Sequence, residues 1–199
     1  MSGQIEFYFD FGSPNAYLAY TQLPALAERH GAAVVWRPML LGGVFQATGN
    51  RSPAEVPAKG RWSCGDIQRW VRRYGIEFRH NPHFPVNTLA LMRGAVGLQR
   101  RGDRAAFLRY VDAMFRAMWI DGRNLADPAE VAAAVGQAGF DPEDIRALTA
   151  DPEVKAELKA RTEEAVARGV FGAPTFFVHD ELIFGQDRLH FVEDALAGR

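Results

Sequence analysis

Strand-like segments stand only at the two ends of this chain, and that placement constrains its fold more than any other feature. Near the start, Ile5-Glu6-Phe7-Tyr8-Phe9 is a short aromatic run bounded by punctuation, which reads as a buried strand. Gly12, Ser13 and Pro14 follow as a helix start, with serine suited to the N-cap and proline to the first helical position. Ala16, Tyr20, Leu23 and Ala27 continue at helical spacing, Gly31 supplies a stop, and Pro24 is expected to kink the helix. Val34-Val35-Trp36 then makes a second strand and closes a β-α-β unit. At the other end, Thr175-Phe176-Phe177-Val178 and Leu182-Ile183-Phe184 flank His179-Asp180-Glu181 as a hairpin. Asp187 is expected to open and cap a last helix carrying Leu189, Val192 and Leu196.

Between these ends the pattern is helical. Residues 42–60 are rich in glycine, proline and small polar types and read as a long functional loop. Helical periodicity then covers 64–74, 88–101, 103–118, 127–138, 142–149 and 152–168. Asp127-Pro128, Asp141-Pro142 and Asp151-Pro152 each repeat the cap-plus-proline start, which separates the last three helices. A βαβ start, a helical block and a ββα end describe one α/β sheet domain interrupted by an all-helical insertion. The expected division is 1–40 plus 170–199 for the sheet domain and 41–169 for the loop and helical insertion.

Composition excludes several functions. With 23 basic against 24 acidic residues the formal net charge is −1, so nothing draws the chain to nucleic acid or to an anionic membrane. A lone cysteine, Cys64, closes no internal disulfide and reads as a small packing residue. The start of the sequence carries no basic, signal-type segment, and no run approaches the ~20 apolar residues of a membrane span, so a cytoplasmic protein is expected. Five histidines show no paired ligand spacing, and no metal site is expected. Asp10 is read as bracing the turn after the first strand. Phe45, Trp62, Trp70 and Trp119 could wall an apolar pocket, although each taken alone reads as core.

The chemistry lies where the two ends would meet. The element order resembles the thioredoxin-like fold, in which the first strand-to-helix turn lies beside a proline-led strand; here those points are Ser13 and Ala173-Pro174-Thr175. A cis proline there would leave the preceding backbone free to pair with an extended peptide, and the sequence leaves the isomer open. Disulfide oxidoreductases begin the first helix with Cys-x-x-Cys, whereas this chain has Ser13-Pro14-Asn15-Ala16, so the protein itself cannot exchange disulfides. A serine hydroxyl at a helix N-terminus can instead donate to a bound thiolate, a charge the helix dipole also favours. The alternative is a plain N-cap worth about 1 kcal/mol.

Five segments in order carry a more specific resemblance: Phe9-Asp10-Phe11-Gly12-Ser13-Pro14, Leu40-Leu41-Gly42-Gly43-Val44-Phe45, Gly49-Asn50, Val170-Phe171-Gly172-Ala173-Pro174-Thr175 and Phe184-Gly185-Gln186-Asp187-Arg188. Together they resemble the 2-hydroxychromene-2-carboxylate isomerase family, relatives of kappa-class glutathione transferases with a DsbA-like thioredoxin fold. The resemblance implies glutathione as cofactor, with Ser13 catalytic and holding its sulfur, and Ala173, just before Pro174, pairing with its cysteinyl unit. Gln186 and Asp187 would receive the γ-glutamyl end. Asn50 and Lys59 would reach the glycyl end or a substrate carboxylate, Lys59 reading equally as a solvated lysine. Phe45, Gln46 and Asn87 would face an aromatic carboxylate substrate, Asn87 reading equally as a helix cap. Many relatives carry lysine where this chain has Gln46; Arg51, Lys59 or Arg93 could compensate for the missing charge. The implied activity is glutathione-dependent isomerisation of 2-hydroxychromene-2-carboxylate to trans-o-hydroxybenzylidenepyruvate, by a homodimer. The alternatives are a kappa-type transferase or peroxidase and a non-catalytic, peptide-binding thioredoxin-like adaptor.

Overall fold

The computed structural model describes residues 3–199. Strand β1 (Gln4–Phe9) pairs in parallel with β2 (Ala33–Pro38), and helix α1 (Pro14–Arg29) connects them. The hairpin β3 (Thr175–Val178) and β4 (Glu181–Phe184) adds to the other edge of β1, giving the order β2-β1-β3-β4. His179 and Asp180 both take positive φ, the combination that a tight two-residue hairpin turn requires. Because β3 runs antiparallel to β1, with Tyr8 opposite Thr175, the end of β1 and the start of β3 share one edge of the sheet. Ser13 and Pro174 are thereby brought to the same place by strand pairing alone.

The helical block is α2 (Leu41–Thr48), α3 (Pro57–Tyr74), α4 (Leu89–Arg100), α5 (Arg104–Trp119), α6 (Pro128–Gln137), α7 (Pro142–Ala150) and α8 (Pro152–Ala167). From α4 to α8 each boundary falls within one residue of the periodicity-based expectation. The Asp-Pro starts behave as read: Asp127, Asp141 and Asp151 accept hydrogen bonds from the N–H groups of Ala129, Glu143 and Glu153. Helix α1 continues through Pro24.

Three expectations are corrected. Residues 42–60 are mostly helical rather than a long loop: α2, a 3₁₀ turn at Pro53–Glu55 and the start of α3 occupy most of them. The glycines and prolines there mark helix ends, with Gly49 left-handed at the C-terminus of α2 and Pro57 at the first turn of α3. Asp187 does not open the last helix: Gln186–Arg188 is a 3₁₀ turn, and α9 (Leu189–Leu196) begins after it with no side-chain cap. Cys64 is exposed on α3 rather than packed.

The core is aromatic and continuous across sheet and insertion. Phe115 of α5 lies with its ring 5.9 Å from Phe9, 5.0 Å from Phe11 and 4.9 Å from Tyr20. Burying each such ring contributes roughly 1.5–3 kcal/mol. Trp119 is fully buried and donates its indole N–H to the Phe11 carbonyl at 2.8 Å, so it belongs to this core and walls no pocket. Trp62, by contrast, is 64% exposed on α3. No helix among the described residues is long and apolar enough to cross a membrane.

Candidate active site

The site is assembled at the shared edge where β1 ends and β3 begins. Ser13 caps α1: its Oγ accepts the Ala16 N–H at 3.1 Å, and its hydroxyl donates to the Ala173 carbonyl at 2.9 Å. That second bond spans 160 residues of sequence and ties the two halves of the sheet domain at one atom pair. The Ala173–Pro174 bond is cis. Pro174 in turn accepts the Gly185 N–H at 3.0 Å, which joins the proline loop to the end of β4. Gly172 is small by necessity, since a Cβ there would stand 2.8 Å from Cε2 of Phe184.

Beneath this edge Asp10 braces the turn, as its position after β1 implied. The carboxylate is 1% exposed and accepts from the Gly12 N–H at 2.8 Å, the Leu41 N–H at 2.8 Å and the Thr88 hydroxyl at 2.7 Å. Burial pushes the Asp10 carboxyl above its ordinary value, against the pull of those three donors. One side chain thus fixes the approach to Ser13, the start of α2 and the residue before α4. Composition and periodicity gave no sign of this three-way junction, because its partners are 31 and 78 residues away.

The remaining residues fall into two groups. Asn50 follows α2 and donates from Nδ2 to the Phe171 carbonyl at 2.8 Å, so it joins the loop that carries Ala173 and Pro174. Gln186 is 3% exposed, and its Oε1 accepts from the Tyr74 hydroxyl at 2.8 Å. Burial pushes the Tyr74 phenol up to about 12. Asp187 is exposed beside a cavity of about 260 Å³ that Tyr74, Arg73 and Trp70 of α3 also line, and it pairs with Arg188 at 2.9 Å. Lys59 is exposed in the first turn of α3, and Arg51 is exposed next to Asn50. Tyr74, which sequence reasoning missed, had no signal beyond its place at the end of an amphipathic run.

Gln46 lies apart from that group. It lines a larger cavity of about 880 Å³ between α2, α4 and α8, whose walls also include Arg93. Phe45, the preceding residue, is half-buried and does not line this cavity, consistent with the turn of 100° per residue along a helix. Asn87 is exposed and is not the cap of α4, which is Thr88; its Oδ1 accepts the Leu89 N–H at 3.0 Å in the turn just before the helix.

Comparison with known proteins identifies the fold and the family. A family model described as DSBA-like thioredoxin domain matches residues 4–197. A 2-hydroxychromene-2-carboxylate isomerase of Sphingobium xenophagum is 33% identical, over 98% of this chain and 99% of the relative. A glutathione S-transferase kappa 1 of Caenorhabditis elegans is 30% identical, over 97% of this chain and 90% of its own length. Among solved structures, a 2-hydroxychromene-2-carboxylate isomerase superposes with a TM-score of 0.86 at 29% identity, covering 98% of this chain and 94% of the other. A probable DsbA oxidoreductase from Streptomyces coelicolor shares the fold, with a TM-score of 0.70 at 20% identity over 99% of this chain and 91% of the other. The chain therefore belongs to the DsbA-like thioredoxin domain family and, within it, to the 2-hydroxychromene-2-carboxylate isomerases.

Proposed function

We propose that this protein is a glutathione-dependent isomerase that interconverts 2-hydroxychromene-2-carboxylate and trans-o-hydroxybenzylidenepyruvate, or a closely similar aromatic keto acid. The observation that carries the reading is the contact between Ser13 and Ala173 at the N-terminus of α1, beside a cis proline, with no cysteine in the helix that follows. The donor set fits glutathione. No described backbone or side-chain group accepts the Ala173 N–H, which leaves it for the cysteinyl unit of a short added strand. Asp187 suits the γ-glutamyl ammonium, and Arg73, lining the same small cavity, suits its carboxylate.

When bound, glutathione supplies a sulfur nucleophile that adds reversibly to the conjugated double bond and so permits its rotation. The chain's own work is to hold that sulfur as an anion and to aim it. Ser13 would do so by turning its O–H about the Cβ–Oγ bond, from the Ala173 carbonyl toward the sulfur, while its oxygen keeps the Ala16 N–H. The N-terminus of α1 adds its favourable field for negative charge. Asn50 holds the Phe171 carbonyl and thereby the loop that presents Ala173.

An absorbance assay with the chromene carboxylate tests the reading. Conversion is expected only when glutathione is present, and the glutathione concentration should stay constant through many turnovers. Conversion without glutathione would contradict the proposal, and stoichiometric loss of glutathione would assign the protein to transferase chemistry instead.

A further inference from the structure

One polar group at the smaller cavity is held in a way that packing alone does not explain. Gln186 is nearly fully buried, yet it lines the cavity of about 260 Å³ beside Asp187. Its Oε1 accepts the Tyr74 hydroxyl at 2.8 Å, and no described group accepts from its Nε2. That nitrogen is not one of the sealed, unpaired atoms of the described residues, so it opens toward the cavity. An amide donor in such a place calls for an acceptor from a ligand.

Tyr74 decides which end of the amide faces the cavity. The two ends of a glutamine amide have the same shape, but one accepts where the other donates. Left free, the group could turn to meet either a carboxylate or an ammonium. A tyrosine hydroxyl has a single proton to give, and here it goes to Oε1. The Gln186 carbonyl oxygen is a poorer acceptor for it, at 3.3 Å. The phenol ring is itself held on α3 by Trp70, with centroids 5.3 Å apart. The other charges at the cavity sort in the same sense. Arg29 is paired with Glu193, whereas the Arg73 guanidinium lies over the Trp70 ring at 5.7 Å. Asp187 engages Arg188 through Oδ1, which leaves Oδ2 for a cation. An amide N–H and a guanidinium beside one carboxylate oxygen match an amino-acid terminus, whose carboxylate and ammonium share one carbon.

We propose that Tyr74 is a positioning residue for glutathione: by occupying Oε1 of Gln186 it presents Nε2 to the γ-glutamyl carboxylate and makes the cavity select that group. The proposal rests on the glutathione reading, and its test keeps the two apart. Wild type and Tyr74→Phe, which differ by one oxygen, are titrated calorimetrically with three peptides. These are glutathione, 4-aminobutyryl-cysteinyl-glycine, which lacks the carboxylate, and glutaryl-cysteinyl-glycine, which lacks the amine. Wild type should bind glutathione about tenfold or more tightly than the peptide without the carboxylate. In Tyr74→Phe that ratio should shrink by about fivefold or more, while the ratio for the missing amine, which Asp187 reads, stays the same. A merely structural role would weaken all three peptides equally, and that result would overturn the proposal. So would a wild type indifferent to the carboxylate. Should Tyr74→Phe fail to fold, the Gln186 Nε2–H resonances of isotope-labelled wild type decide. They should move with the two peptides that carry the carboxylate and not with the third; any other pattern overturns the role of Tyr74. Saturable glutathione binding without the coupling removes that role alone, whereas a wild type that does not bind glutathione removes both readings.

Discussion

At the scale of single residues, the hydroxyl of Ser13 is engaged on both sides, accepting from Ala16 and donating to Ala173. The acceptor role is an ordinary N-cap worth about 1 kcal/mol, and the donated hydrogen bond is the one that, in the proposed reaction, a sulfur anion would accept in place of the Ala173 carbonyl. A second residue, Glu6, holds the base of the same sheet domain. Its carboxylate accepts from Arg168 at 2.9 and 3.0 Å and from Arg37 at 2.7 Å, and Arg168 also donates to the Tyr8 hydroxyl at 2.6 Å. Burial alone would raise the Glu6 carboxyl, but the hydrogen bonds from Arg168 and Arg37 outweigh it and hold it below its ordinary value of 4.5. A carboxyl depressed in the folded state contributes stability above its unfolded value and loses it as the pH falls through the folded one. Glu6→Gln is therefore expected to lower stability by about 1–3 kcal/mol at neutral pH. In urea denaturation across a pH series that deficit should shrink below pH 4.5; a deficit independent of pH would show that the charge is not what matters.

At the scale of elements, the parts of the fold that depend on local chemistry were legible in the sequence. The aspartate-proline pairs placed three helix starts because an Asx side chain and a fixed proline φ act within a single turn. The strand runs at 5–9 and 175–178 were legible from their aromatic and β-branched content. What escaped was α2 and the first turns of α3, where Gly42, Gly43, Gly49, Pro53 and Pro57 look like loop punctuation. Those residues end and begin short helices, and α2 forms because Val44 is buried and the Leu40 N–H finds the Thr162 hydroxyl at 3.0 Å, 122 residues on. Asp187 was misplaced for a related reason. Gly185, at φ 97°, turns the chain into a 3₁₀ turn before α9 can start. At the site, pairings such as Ser13 with Ala173 follow from strand order and could be anticipated, whereas Asp10 with Thr88 and Tyr74 with Gln186 depend on how the insertion packs.

At the scale of the whole molecule, we propose that the division into 1–40 plus 170–199 and 41–169 is one of chain order, with both parts sharing one core. Phe115 reaches from the insertion into the rings of β1 and α1, and Trp119 bonds the Phe11 backbone. Such shared burial couples the parts, so calorimetry should record a single cooperative transition. Two resolved transitions would mean that the insertion folds by itself.

That shared frame brings a hydroxyl, a helix terminus and a proline-led strand to one point, where we propose that the glutathione sulfur is held. The most direct test is the ultraviolet titration of thiolate in the protein–glutathione complex. The bound thiol should ionise well below the ordinary thiol value of about 8.5, and Ser13→Ala should return it most of the way toward that value while glutathione still binds. A bound thiol that titrates like the free one in the wild-type protein, or a depression that survives unchanged in Ser13→Ala, would contradict the account.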